Sequence, residues 1–246
     1  MLRRAFAVLG AFAGRPSRLT LSELVDHTGL PKTTVHRVAL ELLELGALER
    51  RNGGYALGPR LFELGQLVSR HRRLRDVALP YMQDLYGLTH ETVQLAVLDG
   101  LDVLYVEIIH GHRRVSSPAS PGGRMPFHCT GLGKAMVAFS PPELVASALA
   151  RGLTPRTSRT IIDRAVLTQE LAQVRRAGVA FDRGESERSL VCAAAPIVNA
   201  DDTAVAAISV AMGHRSRVGL ARVAPMVKRA ADAISSDLRT ALIRLR

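Results

Sequence analysis

The sequence predicts an α+β protein in two parts, a small basic helical module followed by a larger module of strands and helices. Three observations carry that prediction. The 246 residues suit two domains at the usual ~100–200 residues each. Hydrophobic residues make up 47% and charged residues 22%, an ordinary globular balance that excludes disorder, collagen and coiled-coil arrays. The net charge of +11 is also uneven. Residues 1–75 hold thirteen Lys/Arg against six Asp/Glu, and residues 76–246 hold twenty against sixteen. Under a third of the chain carries most of the excess, as expected when one small module meets a polyanion.

Several classes fall away at once. No apolar run reaches the ~18 residues of a membrane span, and the longest, Leu190–Val198 and Ala204–Gly213, are strand-sized. With no Trp and 4% aromatic residues there is no stacking platform for single-stranded nucleic acid. Cys129 and Cys192 are the only cysteines, too few for a disulfide scaffold or a four-Cys zinc module. A reduced, cytoplasmic protein without a cofactor is the expectation.

Arg3-Arg4 followed by Ala5–Ala13 has two readings. One is a twin-arginine export signal. The other is an amphipathic helix with Leu2, Ala5, Phe6, Leu9 and Phe12 on one face, ended by Gly14 and Pro16. The helix is preferred, because the pattern of residues 20–58 needs one more helix to close its core.

Thr20-Leu21-Ser22-Glu23 is a capping box, and Leu21, Leu24 and Val25 are the buried stripe of the helix it opens. Gly29 offers a left-handed turn. Pro31 suits the first position of a second helix, in which Val35, Val38, Ala39, Leu42 and Leu43 repeat at three and four until Gly46. Ala47–Arg51 and Tyr55–Leu57 then read as strands joined by Asn52-Gly53-Gly54. Two helices around a Gly turn, then a hairpin, form a winged helix-turn-helix over residues 1–58. The second helix of such a unit enters the major groove. The candidate DNA-contacting residues are Lys32, Thr33, Thr34, His36 and Arg37 on that helix, with Arg50, Arg51 and Asn52 on the wing. Residues 59–75 read as a linker helix ending in a basic run.

Residues 76–246 read as strands at Thr92–Leu98 and Asp102–Ile109, turning at Asp99-Gly100. Further strands follow at Val179–Phe181, Leu190–Val198 and Ala204–Met212. Helices are expected over 130–139, 164–177 and Leu220–Leu242. Interleaved strand pairs and helices give an α+β sheet.

The stretch Thr28-Gly29-Leu30-Pro31-Lys32-Thr33-Thr34-Val35-His36-Arg37, with Tyr55-Ala56-Leu57-Gly58, resembles the DNA-binding module of the IclR family of bacterial transcriptional regulators. Met125-Pro126-Phe127-His128-Cys129-Thr130-Gly131-Leu132-Gly133-Lys134-Ala135 resembles that family's effector-loop motif. Cys192–Pro196, Ala206–Val210 and Val227–Leu238 resemble its later strands and terminal helix. The resemblance implies a GAF-like effector-binding domain over 76–246. It also implies a transcriptional regulator whose binding to an inverted-repeat operator responds to a small molecule, working as a dimer or a dimer of dimers. Carried onto this chain, it points to Gly131, Leu132, Asp182, Cys192 and Ser209 as effector-binding residues. Ala211 stands where some relatives have a second serine, which favours a larger or more apolar acid. Core packing for Cys192, and an ion pair from Asp182 to Arg183 or Arg188, stand as the plainer readings.

Other chemistries have weaker footing. Gly131-Leu132-Gly133-Lys134 lacks the earlier glycine and following Ser/Thr of a phosphate loop. His128-Cys129 invites comparison with a thiol nucleophile, so an enzyme is the alternative function; a non-specific nucleoid-type DNA binder is another. His110, His112, His128 and the cysteines lack zinc spacing, and no metal is expected.

Overall fold

The computed structural model describes residues 1–13, 17–112, 119–216 and 218–243. It contains two compact units, Met1–Arg72 and Arg73–Arg246. Gly14 and Pro16, the expected end of the first helix, lie outside the described residues. Among the described residues no helix is long and apolar enough to cross a membrane.

The N-terminal unit opens with α1 (Leu2–Gly10), α2 (Leu21–Thr28) and α3 (Lys32–Glu44). Thr20 caps α2: its hydroxyl accepts the Glu23 N–H at 3.3 Å, and Glu23 Oε2 accepts the Thr20 N–H at 2.7 Å. Gly29 ends α2 at φ +64°, and Gly46 follows α3 at φ +69°. Pro31 is the cap of α3 rather than its first helical residue; its carbonyl accepts the Thr34 and Val35 N–H groups at 2.9 and 3.0 Å. Val8, Phe12, Leu24, Val35, Val38, Ala39 and Leu42 meet in one core. That core corrects the expected face of α1. Phe6 is 72% exposed, because Ala5, Val8, Leu9 and Phe12 are the stripe at helical spacing and Phe6 falls beside it.

Strands β1 (Leu48–Arg51) and β2 (Gly54–Leu57) pair antiparallel with Arg51 opposite Gly54. Asn52 and Gly53, both at positive φ (44° and 76°), make the two-residue turn. A third pairing joins Leu19 to Tyr55 through two backbone hydrogen bonds of 2.9 and 2.8 Å, which the sequence pattern gave no sign of. Gly54 is required there, since a Cβ would sit 2.8 Å from the Leu19 carbonyl oxygen.

The helix expected over 59–75 is two helices, α4 (Pro59–Gln66) and α5 (Ser69–Thr89). The chain tightens between them, with Leu67 and Val68 bonding back three residues to Leu64 and Gly65. Helix α5 runs fourteen residues past the expected boundary because Leu74, Ala78, Met82 and Leu85 bury one stripe, while Pro80 lies on its exposed side.

The C-terminal unit is built on a six-stranded antiparallel sheet. Its strands are β3 (Thr92–Asp99), β4 (Asp102–Ile109), β5 (Arg124–Pro126), β6 (Ala180–Arg183), β7 (Leu190–Val198) and β8 (Ala204–Gly213). The order is β5-β4-β3-β8-β7-β6. Helices α5 and α9 (Leu220–Ile243) cover one face. A 3₁₀ turn at Phe127–Cys129 covers the other together with α6 (Gly131–Ala138), α7 (Pro142–Ala150) and α8 (Arg164–Ala177). Strand β5 and helix α7 were not expected from the sequence. A bulge between Leu95 and Ala96 shifts the β3–β4 register, so Val103, Tyr105 and Ile108 all pack on the α6 side of the sheet.

Candidate functional site

In the N-terminal unit, α3 carries its apolar residues inward and presents Lys32, Thr33, His36 and Arg37 to solvent, with Thr34 half-buried beside them. The core therefore fixes the helix, and the exposed side chains face outward without structural duties. On the wing, Arg50, Arg51 and Asn52 are exposed. Arg50 is held over the Tyr55 ring, 4.4 Å from its centroid. Arg18, which sequence reasoning missed, donates to the Asn52 carbonyl at 2.8 Å and adds a cation at the wing tip.

In the C-terminal unit the head of α6 meets the sheet. Thr130 caps this helix, its hydroxyl accepting the Gly133 N–H at 3.1 Å and its carbonyl the Lys134 N–H at 3.0 Å. The Gly131 and Leu132 N–H groups remain at the positive end of the helix. Both glycines are dictated by closeness. A Cβ on Gly131 would lie 2.7 Å from Cys192 Sγ, and one on Gly133 would lie 2.4 Å from the Phe127 backbone.

Against that helix end lies a cavity of about 280 Å³, counting the space at its open mouth. Gly131, Leu132, Asp182 and Cys192, four of the five residues that the resemblance indicated, line it together. Ser209 does not. It is fully buried behind Gln94, to whose Oε1 it donates at 3.1 Å. Gln94, Tyr105, Met125, Thr130, Ser186 and Leu190 complete the lining and were missed. The one available sign was Gln94, a lone amide within the apolar run from Val93 to Leu98.

Asp182 serves its own loop. Oδ1 accepts the backbone N–H groups of Gly184, Glu185 and Ser186 at 3.0, 2.6 and 3.4 Å, and Oδ2 accepts the Ser186 hydroxyl. Neither Arg183 nor Arg188 is among its partners; the Arg183 guanidinium lies over the Phe181 ring. Burial pushes the Asp182 carboxyl above the usual carboxylate range, opposed by those hydrogen bonds and by Lys134. Lys134 is itself fully buried, with Nζ 2.8 and 3.0 Å from the two Glu185 oxygens and 3.0 Å from Glu170 Oε1. Burial also raises the Glu185 carboxyl, and Lys134 opposes it. This ion-paired cluster ties α6, α8 and the 182–186 loop together around the cavity.

The remaining reactive groups do not form a dyad. His128 Nε2 lies 3.0 Å from the Thr154 carbonyl, and Cys129 Sγ donates to the Pro126 carbonyl at 3.5 Å. Burial pushes both the Cys129 and the Cys192 thiol up to about 12, far from a reactive thiolate. Burial lowers the His128 imidazole, which favours its neutral form. Among the described residues no three His, Cys, Asp or Glu side chains gather as a metal site.

Comparison with known proteins agrees with both halves. Residues 1–52 match the IclR helix-turn-helix domain, and residues 66–236 match the bacterial transcriptional regulator IclR C-terminal domain. The HTH-type transcriptional regulator KipR of Bacillus subtilis is 35% identical over 232 residues, 94% of this chain and 92% of that protein. Among solved structures, an IclR homologue from Microbacterium hydrocarbonoxydans complexed with 4-hydroxybenzoate has a TM-score of 0.88 at 33% identity. It covers 97% of this chain and 99% of that one. The IclR of Thermotoga maritima has a TM-score of 0.79 at 27% identity, covering 96% and 98%. The chain belongs to the IclR family of bacterial transcriptional regulators: a helix-turn-helix DNA-binding unit followed by a ligand-binding C-terminal domain.

Proposed function

We propose that this regulator is a sensor without enzymatic turnover, whose affinity for an inverted-repeat operator changes when a small organic acid enters the α6 cavity. One observation carries the reading. The head of α6 sets a positive helix end, with the Leu132 N–H and a Gly131 N–H that also reaches the Cys192 sulfur, beside a cavity lined by Met125, Leu132 and Leu190. A carboxylate suits the amides and an apolar body suits that lining. The complex of the Microbacterium homologue makes hydroxybenzoates the first acids to test.

On the DNA side, Lys32, Thr33, Thr34, His36 and Arg37 read the major groove, while Arg50, Arg51 and Asn52, joined by Arg18, hold the backbone. A single small unit makes few contacts, so useful affinity needs two copies on a two-fold site. Leu2, Phe6, Phe62 and Leu67 are between 69% and 77% exposed, and such apolar surface on the N-terminal unit suits a second copy of the chain. Homodimers, alone or paired into tetramers, acting in the cytoplasm complete the proposal.

The test begins with selection of duplexes from a random library, followed by titration of the selected site with and without each acid. An inverted repeat bound ~10³-fold or more tighter than scrambled DNA, and shifted by one acid, is expected. Binding with no sequence preference would return the protein to the nucleoid class, and Cys129-dependent turnover of an acid would make it an enzyme.

A further inference from the structure

Every fully buried side-chain nitrogen and oxygen among the described residues has a hydrogen-bond partner. Two nearly buried polar groups in the cavity wall, on Tyr105 (5% exposed) and Gln94 (4% exposed), stand outside that rule. The Tyr105 hydroxyl and the Gln94 side-chain nitrogen bond to no described residue, so both face the open space they line. Ser209, directly across from Gln94 in the β3–β8 register, donates to its side-chain oxygen at 3.1 Å, which leaves the NH₂ toward the cavity. The carboxylate in the wall is already in use, because Asp182 accepts four donors from residues 184–186.

We infer that Tyr105 and Gln94 form a second polar pole of the effector site, distinct from the α6 amides, and select acids that carry a second oxygen acceptor. Ser209 is a positioning residue that acts through Gln94. This inference rests on the cavity being an acid site. An acid without a second oxygen leaves two donors dry and unpaired, which is how a polar wall rejects an analogue that fits by shape. Asp182 already accepts four donors from its own loop, so a ligand bearing an amino group gains less there than at an unengaged carboxylate. Burial raises the Tyr105 hydroxyl above its ordinary value and keeps it a donor.

The test compares benzoate with 3- and 4-hydroxybenzoate on the full-length protein by isothermal titration, scored as the ratio of dissociation constants. Wild type is expected to favour one hydroxy acid over benzoate by at least tenfold. Tyr105→Phe and Gln94→Met should each cut that ratio to threefold or less, and Ser209→Ala should reduce it by an intermediate factor. Tyr105→Phe removes only the hydroxyl, so the test survives if the Gln94 variant does not fold. A tenfold preference that persists in Tyr105→Phe overturns the inference while leaving the acid site standing, as does wild-type binding of all three acids alike. Wild type binding none of them overturns the acid site and the inference together.

Discussion

The exposed face of α3 and the wall of the α6 cavity both carry polar side chains, and the two hold them by opposite means. Lys32, Thr33, His36 and Arg37 stand on a helix fixed from behind by Val35, Val38, Ala39 and Leu42. The side chains that would touch DNA are therefore not the ones that fold the unit. In the cavity that division disappears. Asp182 holds three backbone N–H groups of its loop, Ser209 holds Gln94, and Lys134 bridges Glu170 and Glu185 under the helix whose amides line the site. A solvated recognition surface can change without loss of fold, whereas a recessed one is part of the core and its residues carry both duties.

Lys134→Met breaks the contrast at its strongest point. Removing one member of a buried ion pair strands the others, a cost of about 3–5 kcal/mol. The expected result is that loss in urea unfolding of the C-terminal unit. A loss under about 1 kcal/mol would mean the cluster is hydrated and the wall is not part of the core. Asp182→Ala comes next. It leaves three loop N–H groups without their acceptor, so at least ~2 kcal/mol of stability goes together with the acid response. An Asp182→Ala protein of wild-type stability that lacks only the response would move Asp182 from loop holder to ligand contact. Arg37→Ala sharpens the other side. It should cost ~1–3 kcal/mol of operator affinity and relax one base position, with unfolding unchanged within ~0.5 kcal/mol.

The smallest effect concerns the thiols. Fold burial raises both from 9 to about 12, so the folded state favours the protonated form. That preference is fully present below pH 9 and is lost as pH rises through 12. Iodoacetamide at pH 8 should leave Cys129 and Cys192 unmodified by mass spectrometry in native protein and label both in urea. Rapid native labelling of Cys129 would reopen thiol chemistry at His128-Cys129.

This contrast also explains what the sequence discloses. The capping box at Thr20 and Glu23, the turn at Gly29 and the apolar spacing of α3 are local signals, and they mark the two helices and the exposed side of α3 without any tertiary contact. Membership of the cavity wall is decided at long range. Ser209 meets Gln94 across 115 positions, and the bulge at Leu95/Ala96 determines which side of the sheet holds Tyr105 and Ile108. Gly131, Leu132, Asp182 and Cys192 came to notice only through family resemblance; no periodicity marks them. Phe6 shows a related failure, since an apolar side chain one step off the stripe looks the same in sequence as one on it.

The division of labour is tested most directly by titrating the selected operator with wild type and Arg37→Ala, each with and without a saturating acid that binds the cavity. If the DNA face and the cavity wall are separate sites coupled through the protein, acid shifts wild-type affinity by about 5–150-fold. Arg37→Ala then weakens both titrations by one common factor, so the acid-induced ratio is preserved. An absent shift in wild type, or a ratio abolished by Arg37→Ala, would contradict it.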